Sequence, residues 1–147
     1  MISKETWQKI EEELAQIWVQ IEFEYQGYRL SVLRERHGEG KLVLTVYIDD
    51  VIKASWATEN EERLAIIPDV WRVRSKAYYS PAKVKKIEKD FGKRQAKKYF
   101  PNLHERYTWH EPYFPKASIL VRQFKKLKGL KLMEKRPEIA SREVVNE

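Results

Sequence analysis

Residues 19–48 read VQIEFEYQGYRLSVLRERHGEGKLVLTVYI, and this stretch decides the fold. Apolar and aromatic side chains occupy alternate positions over residues 19–25, and again over residues 28–32. A period of two is typical of strands that have one buried face. Gln26-Gly27 fits a tight hairpin turn between them, because glycine tolerates a positive φ. The pattern therefore predicts an antiparallel meander, in which strands that pair are also neighbours in the chain.

The next run, residues 42–48, is apolar or aromatic at nearly every position. Such a run is typical of a strand that is covered on both faces, so we expect it to lie inside the sheet. Asp49-Asp50 then predicts a tight turn, because aspartate forms local hydrogen bonds that favour turns. After this turn we expect a fourth strand over residues 51–56. Residues 102–115, rich in aromatics and proline, are expected to form a structured loop.

An amphipathic helix is predicted ahead of the meander, from Ser3 to about residue 16. Ser3 is a favourable N-cap residue. The apolar side chains of this segment recur at spacings of three and four residues, which places them on one face. They are Trp7, Ile10, Leu14 and Ile17.

Helices are predicted again in the second half of the chain. Ser80-Pro81 places a capping residue before a proline at the first helical position, and Gly92 fits the end of that helix. A short helix follows over residues 94–100, and a final one over about residues 116–128. Two helices joined at a glycine predict a helical hairpin, whereas a helix-turn-helix of the DNA-reading kind needs a third helix that this pattern lacks.

These elements predict an α+β fold with an N-terminal helix, an antiparallel meander of three to four strands and basic C-terminal helices. The chain has 147 residues, of which 42% are hydrophobic. This is the length of one domain and enough apolar material for a core. We expect residues 1–136 to form a single domain and residues 137–147 to be a frayed tail.

The net charge of +7 hides an uneven distribution along the chain. Residues 1–71 carry 8 Lys+Arg against 14 Asp+Glu, whereas residues 72–136 carry 20 against 5. A basic half of this strength repels itself and destabilises a compact state unless something balances it. Two balances stay open: the acidic half folds against the basic half, or a polyanion such as nucleic acid binds it.

Ten basic residues are the candidate contacts to phosphates or to a partner. The first group surrounds Gly92 and comprises Lys85, Lys86, Lys89, Lys93, Arg94, Lys97 and Lys98. The second group belongs to the final helix and comprises Arg122, Lys125 and Lys126. Aromatic residues are interleaved with these cations, and bases stack on aromatic rings. At the stripe positions of helices, however, we expect rings such as Phe91, Phe100 and Phe124 to be core.

Residue types that enzymes and metal sites need are missing or unsuitably spaced. With no cysteine, the chain has no disulfide, thiolate zinc site or iron–sulfur cluster. His104-Glu105 and His110-Glu111 match no standard zinc spacing, so we expect no metal and no cofactor. A catalytic triad and a glycine-rich phosphate loop are also absent from the sequence, which predicts a non-enzymatic protein. A metal-dependent, nuclease-like activity that uses Asp49-Asp50 and the two histidines is a third hypothesis.

Three segments of the second half carry a resemblance to known proteins. They are Tyr78-Tyr79-Ser80-Pro81, FGKRQAKKYFP at residues 91–101, and Pro112-Tyr113-Phe114. In these segments the chain resembles small basic proteins of phages and prophages. The resemblance implies an accessory product of a mobile element and supplies no catalytic motif. Such products bind host nucleic-acid machinery or inhibit host defence complexes such as CRISPR effectors.

The leading hypothesis from the sequence is a nucleic-acid-binding accessory protein that contacts phosphates through its basic helices. The alternative is an inhibitor from a phage or mobile element, such as an anti-CRISPR protein, that binds a host nucleoprotein complex through the same basic face. Apolar runs stay well short of the roughly 18 residues that a membrane span needs. The polar, acidic residues 1–13 do not resemble a signal peptide. We therefore expect a cytoplasmic protein with no membrane partner.

Overall fold

The computed structural model describes residues 1–133, so the predicted tail at residues 137–147 lies outside the described residues. The helices are α1 (Lys4–Leu14), α2 (Ile67–Val70), α3 (Pro81–Tyr99) and α4 (Ala117–Phe124), with a 3-10 turn at Ala54–Ala57. The strands are β1 (Gln20–Tyr25), β2 (Tyr28–Arg36), β3 (Leu42–Ile48), β4 (Arg72–Ala77), β5 (Arg106–Glu111), β6 (Tyr113–Phe114) and β7 (Lys131–Met133). The prediction of a mixed α+β fold with an N-terminal helix and an antiparallel sheet is confirmed.

The predicted meander forms the middle of a five-stranded antiparallel sheet, in the order β6-β3-β2-β1-β7. Gln26 and Gly27 make the first turn with φ of 49° and 85°. Two positive φ values suit the right-handed twist of the flanking strands. Asp49 and Asp50 make the turn after β3, with φ of 50° and 66°. Both turns lie where the sequence predicts them, because turn residues act locally.

The main core lies between one face of this sheet and the helices α1 and α4. Phe23 of β1 is fully buried at its centre. The ring centroid of Phe23 is 6.0 Å from that of Trp7 in α1 and 5.5 Å from that of Phe124 in α4. One aromatic side chain thus joins the sheet to both helices.

The apolar stripe predicted for α1 is too long at its C-terminal end. Trp7, Ile10 and Leu14 are buried, whereas Ile17 is 74% exposed. α1 ends at Leu14, whose carbonyl oxygen accepts a hydrogen bond from the Arg34 guanidinium. Ile17 therefore no longer follows the helical period.

The predicted fourth strand, at residues 51–56, is wrong. The chain makes one bridge to the end of β3 and then enters the 3-10 turn, which buries Trp56. The free edge of β3 is instead occupied by β6, where Phe114 pairs with Leu44. Residues 102–115, predicted as a structured loop, contain β5 and β6, because both strands pair with segments far away in the sequence.

Residues 72–111 form a separate unit of secondary structure that we call the arm. In the arm, β4 and β5 pair as an antiparallel two-stranded ribbon, and α3 lies between them in the chain. Both ends of the arm are bound to Val46 of β3. The indole of Trp71, just before β4, donates to the Val46 carbonyl oxygen at 3.2 Å. The Val46 amide donates to the carbonyl oxygen of Pro112, just after β5, at 2.9 Å.

Replacing Phe23 with alanine tests whether this ring holds the main core together. We expect Phe23→Ala to lower the free energy of unfolding by about 3–5 kcal/mol, because it removes a buried ring and leaves a cavity. Lys9→Ala on the exposed side of α1 is the control, with a change within about 0.5 kcal/mol. Urea denaturation followed by circular dichroism measures both. A loss below about 1 kcal/mol for Phe23→Ala would contradict the central position of this ring.

Candidate nucleic-acid interface

α3 has a capped start and a break in its middle. Ser80 accepts a hydrogen bond from the Lys83 amide at 3.2 Å. Pro81 is the first helical residue, where its missing N–H removes no intrahelical bond. The helix breaks at Gly92, with φ 78° and ψ 153°, a conformation that is essentially restricted to glycine. α3 therefore consists of two helical segments, residues 81–91 and 93–99.

The two segments of α3 pack on a small core that belongs to the arm. Its buried members are Ile87, Ala96 and Leu103, and Tyr79, Val84 and Phe100 pack against them. Ile87 comes from the first segment of α3 and Ala96 from the second. Because helix residues three and four apart share one face, the remaining faces of both segments are free to carry polar side chains.

Seven of the ten predicted cations lie on α3, and all seven are exposed: Lys85, Lys86, Lys89, Lys93, Arg94, Lys97 and Lys98. Lys89 lies one turn after Lys85, on the side of the first segment away from the small core. Lys98 follows Arg94 in the same way on the second segment. In the described part of the chain, none of the seven forms an ion pair with a carboxylate. Their positive charge is therefore not neutralised by a contacting carboxylate of residues 1–133.

The other three predicted cations lie on a different element. Arg122 is in α4, which ends at Phe124 rather than near residue 128, and Lys125 and Lys126 follow it. All three are exposed. Phe124 anchors α4 in the main core, whereas α3 packs on the small core. The structure therefore divides the ten cations between two hydrophobic clusters and does not bring them onto one helical face.

The expectation that Phe91 is a core residue is wrong. Phe124 is fully buried and Phe100 packs against the small core, as expected, but Phe91 is 47% exposed. Its ring centroid lies 6.1 Å from that of Tyr99, which is 61% exposed. The small core is formed by short elements, and it covers Ile87 in the first segment of α3 without covering the ring one turn later.

A basic and aromatic face of the ribbon is a feature that the sequence did not predict. The strand register pairs Arg74 with Trp109 and Lys76 with Tyr107, and directly paired residues lie on the same side of a ribbon. The Arg74 guanidinium lies 5.9 Å from the centroid of the Trp109 ring. Basic residues at alternate positions from Arg72 to Lys76 were the signal that could have found this face, since a period of two predicts a strand.

The two His-Glu pairs lie apart in the structure. His104 Nε2 is 3.4 Å from Glu88 Oε2 of α3, whereas His110, at the other end of β5, contacts the Arg63 guanidinium. Glu111 forms an ion pair across the ribbon with Arg74, whose Nη1 lies 2.7 Å from Glu111 Oε1. Among residues 1–133, no group of three or more potential metal ligands comes together.

Asp49 and Asp50 are engaged in their turn. Asp49 Oδ1 accepts a hydrogen bond from the Arg29 amide at 2.9 Å. Asp50 Oδ2 lies 2.5 Å from Nη2 of the same arginine. These contacts account for both carboxylates as turn residues, the use for which aspartate is favoured at such positions.

Comparison with family models, curated proteins and solved structures finds no match to this chain. Across residues 1–133, none of the helices combines the length and the apolar character that crossing a membrane requires.

Replacing Gly92 with alanine tests the break in α3. A Cβ at this position meets no atom within 4 Å, so the cost comes from backbone strain, of the order of 1–3 kcal/mol. We expect Gly92→Ala to speed amide hydrogen exchange in α3 while exchange in β1, β2 and β3 stays the same. Gln95→Ala, on an exposed position of the second segment, is the control with unchanged exchange. Equal protection of α3 in Gly92→Ala and the parent chain would contradict the requirement for glycine.

His110, near the end of β5, makes the free energy of unfolding depend on pH. Burial, and then the nearby Arg63 guanidinium, lower the pKa of His110. The unfolded chain therefore takes up this proton more readily than the folded chain. The stabilising contribution of neutral His110 is complete above the unfolded pKa of about 6.5, and it is lost as the pH falls through the lower, folded pKa.

We accordingly expect the difference in unfolding free energy between the parent chain and His110→Gln to shrink as the pH falls from 8 to 5. Urea denaturation at constant ionic strength measures this difference. Arg63→Gln removes the neighbouring charge, so it should raise the pKa of His110 towards its ordinary value and weaken the pH dependence. A difference that is constant or grows on acidification would show that the folded state does not favour the neutral ring.

Proposed function

We propose that this protein is a non-enzymatic, cytoplasmic nucleic-acid-binding protein whose basic helix α3 contacts phosphates. The observation that carries the proposal is the group of seven exposed cations on α3, none of which pairs with a carboxylate within residues 1–133. Phosphate backbones present a row of negative charges, and neutralising them releases counterions, which favours binding.

The geometry of α3 supports contact with successive phosphates. The outward cations belong to two helical segments joined at Gly92, and each segment packs on the small core through its other face. Cations held on a packed element lose less freedom on binding than cations on a mobile tail. Glu88, a carboxylate of the same helix, contacts His104. We assign Lys85, Lys89, Arg94 and Lys98 to the first contacts, with Arg122, Lys125 and Lys126 on a secondary surface.

Salt dependence tests the proposal. If about six phosphates are neutralised, the logarithm of the affinity falls with the logarithm of the salt concentration with a slope of about −5 on duplex DNA and about −4 on a single strand. The triple variant Lys85→Gln, Lys86→Gln, Lys89→Gln should flatten this slope by about 0.7–0.9 for each phosphate that the variant no longer neutralises. Fluorescence anisotropy with labelled 16-mers, single-stranded and duplex, measures it.

The matched control makes the same change of charge outside the arm, in the triple variant Lys4→Gln, Lys9→Gln, Lys41→Gln. These lysines are exposed and lie outside the arm, so the slope should stay that of the parent chain. The proposal fails if neither 16-mer binds at 50 mM salt, or if the control loses as much affinity as the α3 variant.

A protein partner is the second candidate function, in which the basic face docks on a host nucleoprotein complex and inhibits it. Electrostatic steering would make this association salt-sensitive too, so salt does not separate the candidates. One observation favours a protein partner, and it lies outside the arm, between α1 and β1: Ile17 and Trp18 are adjacent and 74% and 90% exposed, and tryptophan is a frequent anchor of protein interfaces. A pull-down with nuclease treatment separates the candidates, because one protein retained after nuclease supports inhibition, whereas loss of all bound material supports nucleic-acid binding.

A further inference from the structure

We infer that the ribbon of the arm stacks unpaired bases on a row of aromatic rings, so that the nucleic acid bound by this protein is single-stranded. The inference rests on the proposed function and adds the class of nucleic acid to it. Most residues of both strands are exposed or only half-buried, and an isolated two-stranded ribbon is marginally stable in water. Surface of this kind is available to a ligand.

Three rings form a continuous row on one face of the ribbon. The Tyr107 and Trp109 rings stack with centroids 5.7 Å apart and planes at 29°. Tyr78, which follows β4, extends the row, with its centroid 5.1 Å from that of Tyr107. Tyr78 is 50% exposed and Tyr107 39%. None of the three belongs to the buried members of the main core or the small core.

Cations accompany this row of rings on the same face. Register places Arg74 beside Trp109 and Lys76 beside Tyr107. The Arg74 guanidinium also lies over the Trp109 ring, at 5.9 Å from its centroid. Opposite side chains in adjacent strands thus combine a positive charge with an aromatic surface. Cross-strand pairs of this kind also stabilise a ribbon, so the experiment must separate ligand binding from stability.

The chemistry of this face selects the ligand. Lys76 is exposed and attracts phosphates, whereas the Arg74 guanidinium already pairs with Glu111 at 2.7 Å and offers mainly its flat face beside Trp109. The flat faces of bases stack on tyrosine and tryptophan. In a duplex the faces of the bases are already stacked on one another, and only their edges are presented in the grooves. A single strand offers phosphates and free base faces together. Single-stranded DNA and RNA share this chemistry, and α3 would then hold further phosphates of the same strand.

The experiment compares two single strands with the same phosphates. One is a labelled oligothymidylate 16-mer, and the other is a 16-mer of abasic sites, which keeps the backbone and lacks the bases. Because stacking favours binding strongly for each base, we expect the unaltered chain to bind the oligothymidylate at least about tenfold more tightly. A parallel experiment uses an oligouridylate RNA in place of the DNA, and base-dependent binding in either experiment supports the inference.

Variants assign the preference to the ribbon. Tyr107→Ala with Trp109→Ala should bring the oligothymidylate down to the affinity of the abasic strand, while the affinity for the abasic strand stays the same. Val73→Ala with Thr108→Ala changes two exposed residues on the opposite face of the ribbon and should keep the preference. Tyr107→Phe with Trp109→Phe keeps the ring faces and should keep it as well.

The outcomes distinguish this inference from the proposed function. Equal binding of the oligothymidylate and the abasic strand, or tighter binding of a 16-bp duplex, overturns base stacking and leaves phosphate binding by α3 in place. No binding to any of the nucleic acids overturns both and points to a protein partner. If the double alanine variant is unstable, the comparison of the two strands on the unaltered chain still decides.

Discussion

Val46 is the residue on which the arrangement of this chain depends, because its backbone holds both ends of the arm. Its carbonyl oxygen accepts the indole N–H of Trp71, and its amide donates to Pro112. Val46 is fully buried, so leaving either of these polar groups without its partner would destabilise the folded state. Gln123 of α4 reinforces the same junction by donating to the carbonyl oxygens of Asp69 and Trp71, each at 2.8 Å.

The attachment at Val46 explains how a second structural unit can extend from a small sheet. With the Trp71 indole and the Pro112 carbonyl oxygen both held at Val46 of β3, the chain enters and leaves the arm at nearly the same place, and within the arm β4 pairs with β5. The ribbon in turn determines where α3 and the small core lie. The cations of α3 are thus carried on a unit whose interior, the small core, is separate from the main core.

The sequence predicts well what depends on neighbouring residues. The meander, its turns at Gln26-Gly27 and Asp49-Asp50, and the start of α1, where the Ser3 side chain accepts a hydrogen bond from the Thr6 amide, follow from side-chain periods, capping and turn chemistry. The errors arise where distant segments compete. Residues 51–56 have the composition of a strand, but β6 occupies the edge of β3 that they would need. The sequence predicts a loop where β5 forms, because its partner β4 lies beyond α3 in the sequence and no local period reveals that pairing.

The amino-acid sequence by itself determines that residues 72–136 carry a large excess of positive charge, and that the cations around Gly92 belong to helical segments. Both are local properties of composition and period. Only the tertiary structure decides which rings are covered: Phe124 fills the main core, while Phe91, Tyr78 and Tyr107 remain partly exposed. It alone also places Arg74 beside Trp109, since the register of β4 against β5 depends on how the two ends of the arm meet at Val46. Burial and register result from contacts between distant residues, which the linear pattern of the sequence does not contain.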